Sequence, residues 1–181
     1  MPNPDHTLVH FLTLSRFRVC EHYQPKLLAC LAALDDAQLG QAAGGVGLHS
    51  IVGNIHHILE HLRRHTDWIW ARWKDPQAGS IEEYFPTGSD TSAELSQVVQ
   101  TTFAAWDAAV HELIAHAREH GTLPDGTPSL SAIYHLVEHL AYHLGQIVMT
   151  TIEATGEEFH FCRRGINERA LNAAVEATIS G

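Results

Sequence analysis

The sequence predicts an all-α fold, a four-helix bundle followed by a short helical appendage at the C-terminus. Apolar residues recur at intervals of three and four along four long segments, which is the periodicity of a helix with one buried face. No segment shows the alternating polar and apolar residues, bounded by turn residues, that are typical of a strand. Four amphipathic helices joined by loops are most simply packed as a bundle.

The first two helices are separated by glycines. The first is expected from about residue 7 to residue 34, and Pro25 should kink or divide it because proline has no amide hydrogen. The stretch 40–47 is a glycine-rich connection. The second helix begins near His49 or Ser50 and ends before Pro76. Its apolar positions are Ile51, Ile55, Ile58, Leu62 and Ile69.

The third and fourth helices are separated by a turn-rich break at residues 121–128. The third starts near Ser92, and its apolar face is formed by Leu95, Val98, Val99, Phe103, Trp106, Val110 and Leu113. The fourth starts near Ser129 or Leu130 and stops at Gly156. Its apolar positions are Ile133, Val137, Leu140, Leu144, Ile147 and Thr151.

The length of 181 residues, with 45% hydrophobic residues, allows one well-buried core and is short for two. We therefore expect a single domain over residues 1–181, with its core at about 7–156. Residues 157–181 form the appendage, including a short helix from about Ile166 to Ile179. The three cysteines form no C-x-x-C pair, which favours a reducing compartment, and we predict a cytoplasmic location.

The charge balance argues against two classes of partner. Eleven Lys and Arg against 21 Asp and Glu give a formal charge of −10, which repels nucleic-acid backbones and anionic lipids. The longest apolar run, Leu27 to Leu34, is far shorter than the ~20 residues that a membrane-spanning helix needs. We therefore predict no nucleic-acid partner and no membrane association.

The chain has 15 histidines, and their positions rather than their number indicate a site. His139 and His143 are four residues apart on the fourth helix, a spacing of about 6 Å with a rotation of only ~40° beyond a full turn. Both imidazoles can therefore contact one metal ion, and a third ligand must come from elsewhere. Two boundary histidines bound to water or to a carbonyl oxygen would show the same spacing.

A helical wheel favours this pair over the alternative pair of His135 and His139. His143 lies roughly 70° from the centre of the apolar stripe, His139 roughly 110° and His135 roughly 150°, so His135 faces outward. The chain has no H-E-x-x-H motif, and its single E-x-x-H lies beyond the fourth helix, which disfavours a carboxylate-bridged di-iron site.

Two segments resemble the DinB/YfiT-like superfamily. They are residues 50–58, SIVGNIHHI, and residues 137–147, VEHLAYHLGQI, in which the string H-x-x-x-H-x-G-Q-I is the most recognisable element. In outline the resemblance extends from Phe11 to Ile152. It implies a four-helix bundle, often dimeric, that binds one divalent metal ion through one histidine of the second helix and two of the fourth.

By their positions in these two segments, the metal ligands that the resemblance implies are His57, His139 and His143. The apolar stripe of the second helix lies closer to His61 and His65 than to His57, so His61 is the alternative ligand from that helix. Three imidazoles leave a coordination position open and suit Zn, Ni or Fe. Characterised members of the superfamily include thiol-dependent transferases and isomerases, which implies a small electrophilic substrate and a low-molecular-weight thiol as cosubstrate.

Two other functions stay open. One is a metal-binding stress or scaffold protein without turnover, and the other is a metal-dependent hydrolase, for which Glu60 and Glu138 are the candidate carboxylates. For an anionic cosubstrate, the candidate cations are Arg63, Arg64, Arg72, Arg163 and Arg164. Each of these is also an ordinary surface charge.

Three tryptophans, Trp68, Trp70 and Trp73, crowd the end of the second helix and are too large to lie on one face. At least one should contact another element, the C-terminal segment or a second subunit. We predict a homodimer, paired through the first and second helices as in the family that the sequence resembles.

Overall fold

The computed structural model describes residues 4–40, 49–71 and 80–180, and no β-strand occurs in these ranges. The helices are α1 (Pro4–Phe17), a π-helical segment (Arg18–Tyr23), α2 (Gln24–Ala33), α3 (Asp36–Leu39), α4 (Ile51–Ala71), α5 (Ser92–His120), α6 (Leu130–Thr155), a 3-10 turn (Phe161–Arg164) and α7 (Glu168–Ser180). The described part of the chain is therefore all-helical, as predicted. Across the described ranges, none of these helices combines the length and apolar character that crossing a membrane requires.

The predicted first helix is three connected helical segments rather than one. Pro25 lies in the first turn of α2, where its missing amide hydrogen removes no helical hydrogen bond. The turn before it is π-helical and buries Val19, Cys20 and His22. Pro25 therefore divides the helical region, as one of the two predicted alternatives states, while the backbone stays helical on both sides.

The ends of α5 and α6 follow their local sequence. Thr91 caps α5 in a capping box, in which its side chain accepts from the amide of Glu94 and the Glu94 carboxylate accepts from the amide of Thr91. Gly121, with φ of 71°, and Gly156, with φ of 70°, end α5 and α6 in the left-handed conformation that glycine adopts without strain.

The core lies between the long helices. α4 packs against α5 and α6, α1 packs against α5, and α2 packs against both α5 and α6. Trp106 and Phe103 of α5 are the largest fully buried side chains. The predicted stripe of the second helix is buried in full, whereas Val98 and Val137 are only partly buried at the edge of the core.

The C-terminal segment is docked on the helical core. α7 packs against α1, and its Leu171 and Val175 are buried. The guanidinium of Arg18 forms an ion pair with the carboxylate of Glu168. The helix begins two residues later than predicted, at Glu168, with the side chain of Asn167 accepting from the amide of Ala170.

Candidate metal centre

The candidate site lies between α4 and α6, which run antiparallel. Asn54 of α4 is bonded to His143 of α6, and His61, two turns further along α4, lies beside His139, one turn earlier on α6. This arrangement brings His57, His139 and His143 together. The Nε2 atoms of His57 and His139 are 2.8 Å apart, and the ring of His143 lies 4.5 Å from His57 and 4.6 Å from His139 between centroids.

The ring of His57 is held by the segment that precedes α5. Its Nδ1 lies 3.1 Å from the carbonyl oxygen of Tyr84, so Nδ1 carries the hydrogen and donates it. The ring of Phe85 stacks on the imidazole at 4.2 Å between centroids. These contacts leave the lone pair of the neutral ring on Nε2, which faces His139.

The ring of His143 is held in the same way by side chains. Its Nδ1 lies 2.9 Å from Oδ1 of Asn54 and 3.0 Å from Oε1 of Gln146. The amide nitrogen of Asn54 donates to the carbonyl of Ser50 at 3.1 Å, which turns Oδ1 toward the imidazole. Nδ1 of His143 is therefore the donor, and Nε2 keeps its lone pair for a ligand bond.

The third imidazole, His139, is partly buried and meets His57 through its own Nε2. Because His57 donates from Nδ1, the hydrogen in this contact belongs to His139. A divalent cation can take the place of that hydrogen, since the two nitrogens already face each other. The Nε2 atoms of His57 and His139 can therefore both face one divalent ion, and imidazole donors suit Zn, Ni or Fe.

The site keeps its histidines uncharged. Burial lowers the pKa of His57, and burial together with neighbouring imidazoles lowers the pKa of both His139 and His143 to about 4. The pKa of His61 falls to about 2, again chiefly through burial and then through His139. Near neutral pH these rings are in the unprotonated form that binds metal ions.

The group of histidines with the spacing of a metal site includes His61, the alternative ligand from α4, and does not include His143, one of the three predicted ligands. One ring nitrogen from each of His57, His61 and His139 lies within 4.8 Å of the others, a three-histidine group that can bind a metal ion. The other candidates lie outside it. His135 is exposed, with its ring 5.6 Å from that of His139, and Nε2 of His56 is hydrogen-bonded to the carboxylate of Asp90 at 3.0 Å.

His57 is 1% exposed although it lies far from the predicted apolar stripe of its helix. The reason is that Tyr84 and Phe85 cover this side of α4. A helical wheel contains no information about such a covering segment. The roles of Asn54, Tyr84, Phe85 and Gln146 were likewise not predicted, although Asn54 and Gln146 lie within the two segments that resemble the superfamily.

A cavity of about 670 Å³ opens beside His57, His139 and His143. Its lining residues are His49, Asn54, His57, Glu82, Phe85, His139, Tyr142, His143, Gly145, Gln146, Met149, Thr150 and Glu153. No lysine or arginine occurs among the described residues of this lining. The cavity wall therefore combines apolar side chains with two carboxylates.

The carboxylates of the cavity are not the predicted ones. Glu60 forms an ion pair with Arg64 at 2.9 Å, Glu138 is exposed, and neither lines the cavity. None of the described arginines lines it either, and Arg72 lies outside the described residues.

One of the predicted tryptophan contacts is present. Trp68 donates to the carbonyl of Gly126 at 2.9 Å, which confirms a contact with another element. Trp73 lies outside the described residues.

The fold and the site define an all-helical protein with a buried histidine cluster that can bind a metal ion beside an open cavity. The chain belongs to the DinB superfamily, whose profile matches residues 21–147. The matched range includes the histidine cluster and most of α6. No curated protein and no solved structure matches the chain.

Proposed function

We propose that this DinB-superfamily protein is a metal-dependent enzyme that transfers a low-molecular-weight thiol to a small electrophile. The proposed ligands of its single divalent ion are His57, His139 and His143. One observation supports this choice above all: the Nδ1 atoms of His57 and His143 are both bonded to oxygen acceptors, which leaves both Nε2 atoms for an ion beside His139. Metal-binding histidines typically donate their second ring N–H to an oxygen acceptor of this kind.

A bound divalent ion would supply Lewis acidity, which lowers the pKa of a thiol or a water molecule at its open position. The chain supplies the setting. His57, His139 and His143 all line the cavity, so the ligand set faces the space where a substrate can bind. The apolar walls formed by Phe85, Tyr142 and Met149 can hold an apolar substrate and displace water from it.

The proposed reaction is a nucleophilic displacement or addition at the substrate. In a displacement, the thiol sulfur forms a bond to the electrophilic carbon, the bond to the leaving group breaks, and the thiol proton goes to solvent or to the leaving group. In an addition, the sulfur forms a bond to one end of a polarised double bond, the π bond breaks, and the proton goes to the other end. A cavity of about 670 Å³ has room for a thiol and a small partner. Glu82 and Glu153 in its lining disfavour an anionic thiol.

A hydrolase that uses a metal-activated water is the second candidate, favoured by the same two carboxylates of the cavity, since a general base is needed near the attacking water. A scaffold without turnover is less well supported, because it requires no cavity at the ligand set.

Incubation of Zn-, Ni- or Fe-loaded protein with electrophiles, with and without thiols, distinguishes the transferase, the hydrolase and the scaffold. Thiol-dependent product supports the transferase, thiol-independent hydrolysis the hydrolase, and no product in either case the scaffold.

We also propose a single domain in which α1 with α2, α4, α5 and α6 are the four helices of a bundle. A homodimer in the cytoplasm completes the proposal. Trp70 is 48% exposed at the end of α4, which is consistent with a surface that a second subunit covers. Light scattering after size-exclusion chromatography should give twice the chain mass, and a strict monomer would contradict the homodimer.

A further inference from the structure

We infer that His61 is a fourth imidazole ligand of the proposed metal site, bound on the side of the ion opposite the cavity; this inference rests on the function proposed above. His61 lies one turn after His57 on α4. Its ring is 4.0 Å from that of His139 and 4.9 Å from that of His57 between centroids. One of its ring nitrogens lies within 4.8 Å of ligand atoms on both.

The hydrogen bonding of His61 differs from that of His57 and His143. His61 is 7% exposed, and its Nδ1 is buried with no hydrogen-bond partner in the described parts of the chain. In the other two rings Nδ1 donates to a protein oxygen. A buried imidazole with an unsatisfied nitrogen costs free energy, and a cation bound at that nitrogen would provide the missing partner.

The cavity defines where the fourth ligand would lie. His57, His139 and His143 line the cavity, whereas His61 does not. Along the antiparallel pair of α4 and α6, His57 and His139 are therefore central, His143 lies toward the cavity and His61 lies away from it. His61 would therefore hold the metal from the side away from the cavity, and the cavity would stay open to a substrate.

The test uses the full chain with Co²⁺ as the probe. His61→Leu removes the imidazole while filling its volume, and His61→Gln keeps a polar group. The matched control is the same pair of changes at His135, which is exposed and outside the cluster. We measure the dissociation constant by competition with a chelator, and the visible absorption of bound Co²⁺, whose intensity reports the number and geometry of its ligands.

We expect both His61 variants to bind Co²⁺ about 10-fold or more weakly, with a changed absorption spectrum, while the His135 variants match the wild type. Wild-type affinity and spectrum in the folded His61 variants would overturn the inference. Circular dichroism checks that the variants fold. Should they fail to fold, wild-type protein labelled with ¹⁵N in its histidines and titrated with Zn²⁺ decides the question.

In that titration four imidazole signals, including that of His61, should move to metal-bound shifts. Three shifted signals without His61 would contradict the fourth ligand and leave the proposed function intact. No metal-dependent shift in any histidine would overturn the proposed function as well, so the two failures are distinguishable.

Discussion

Asn54 of α4 accepts a hydrogen bond from His143 of α6, with its Oδ1 2.9 Å from Nδ1 of the imidazole. Both side chains are buried, and the amide of Asn54 is turned by its own bond to the carbonyl of Ser50. This contact joins the two helices at the site and fixes which nitrogen of His143 can bind a metal ion. The orientation of a proposed ligand therefore depends on a residue that carries no ligand atom itself.

Removal of the Asn54 acceptor should weaken metal binding. In Asn54→Leu, Gln146 remains as an acceptor for His143, so we expect about a 10- to 100-fold higher dissociation constant for Zn²⁺ rather than complete loss. Chelator competition measures the change. Asn54→Asp keeps an oxygen acceptor and serves as the control, with an affinity closer to that of the wild type. Equal affinity in all three proteins would contradict the orienting role.

The charge of the cavity should select among thiols. Glu82 and Glu153 line it without a described lysine or arginine, so a cationic thiol should bind better than an anionic one. Cysteamine, 2-mercaptoethanol and 3-mercaptopropionate should bind Co²⁺-loaded protein in that order of decreasing affinity, with differences of a few fold because exposed charges are screened. Thiolate-to-cobalt absorption reports the binding. Glu153→Gln should reduce the preference for the cationic thiol. Identical affinities of the wild type for all three thiols would contradict selection by the charge of the cavity.

The metal-free protein should lose stability in mild acid. Burial holds the pKa of His139 and His143 at about 4, below the ~6.5 of an unfolded histidine, so the unfolded chain binds protons first. This contribution to the free energy of unfolding is fully present above about pH 6.5 and is lost as the pH falls toward 4. Urea unfolding in the presence of a chelator measures it. A double change to glutamine at both positions should reduce the slope of stability against pH, with the lowered pKa of His57 and His61 accounting for what remains. An unchanged slope would contradict the contribution of His139 and His143.

The cap of α5 gives a test of the fold that does not involve the site. Thr91→Ala removes the side-chain oxygen that accepts from the amide of Glu94, and we expect a loss of about 1 kcal/mol in the free energy of unfolding. The matched control is Thr101→Ala, the same change at an exposed position inside the helix, where alanine is the better helix former. Chemical denaturation measures both. An equal effect of the two changes would show that the cap contributes nothing.

Local sequence is sufficient to predict the three longest helices and the pair of histidines on α6. The spacing of apolar residues predicts α4, α5 and α6, and the four-residue interval of His139 and His143 places both rings on one helix face. The burial of His57 could not be predicted in this manner, because it depends on Phe85, 28 positions away in the chain and in a segment without helical pattern. Family resemblance is the observation that indicates His57.

The acidic residues of the cavity were also not predictable from neighbouring sequence positions. Glu60 and Glu138 are neighbours of proposed ligands in sequence, yet the former pairs with Arg64 and the latter faces solvent. Glu82 comes from the segment before α5, so its place in the cavity follows from tertiary packing, whereas Glu153 lies seven residues after Gln146 on the same face of α6. Sequence proximity to a ligand is therefore a poor guide to which acid shares its cavity.

The most direct test of the central claim is the metal content of untagged protein, measured by mass spectrometry for the wild type and for single alanine variants. We predict about one divalent ion per wild-type chain, lost in His57→Ala, His139→Ala and His143→Ala and retained in His135→Ala. A wild-type chain that binds no metal, even after addition of Zn²⁺ or Ni²⁺, would contradict the proposed site. So would full metal content in the variants of the three proposed ligands.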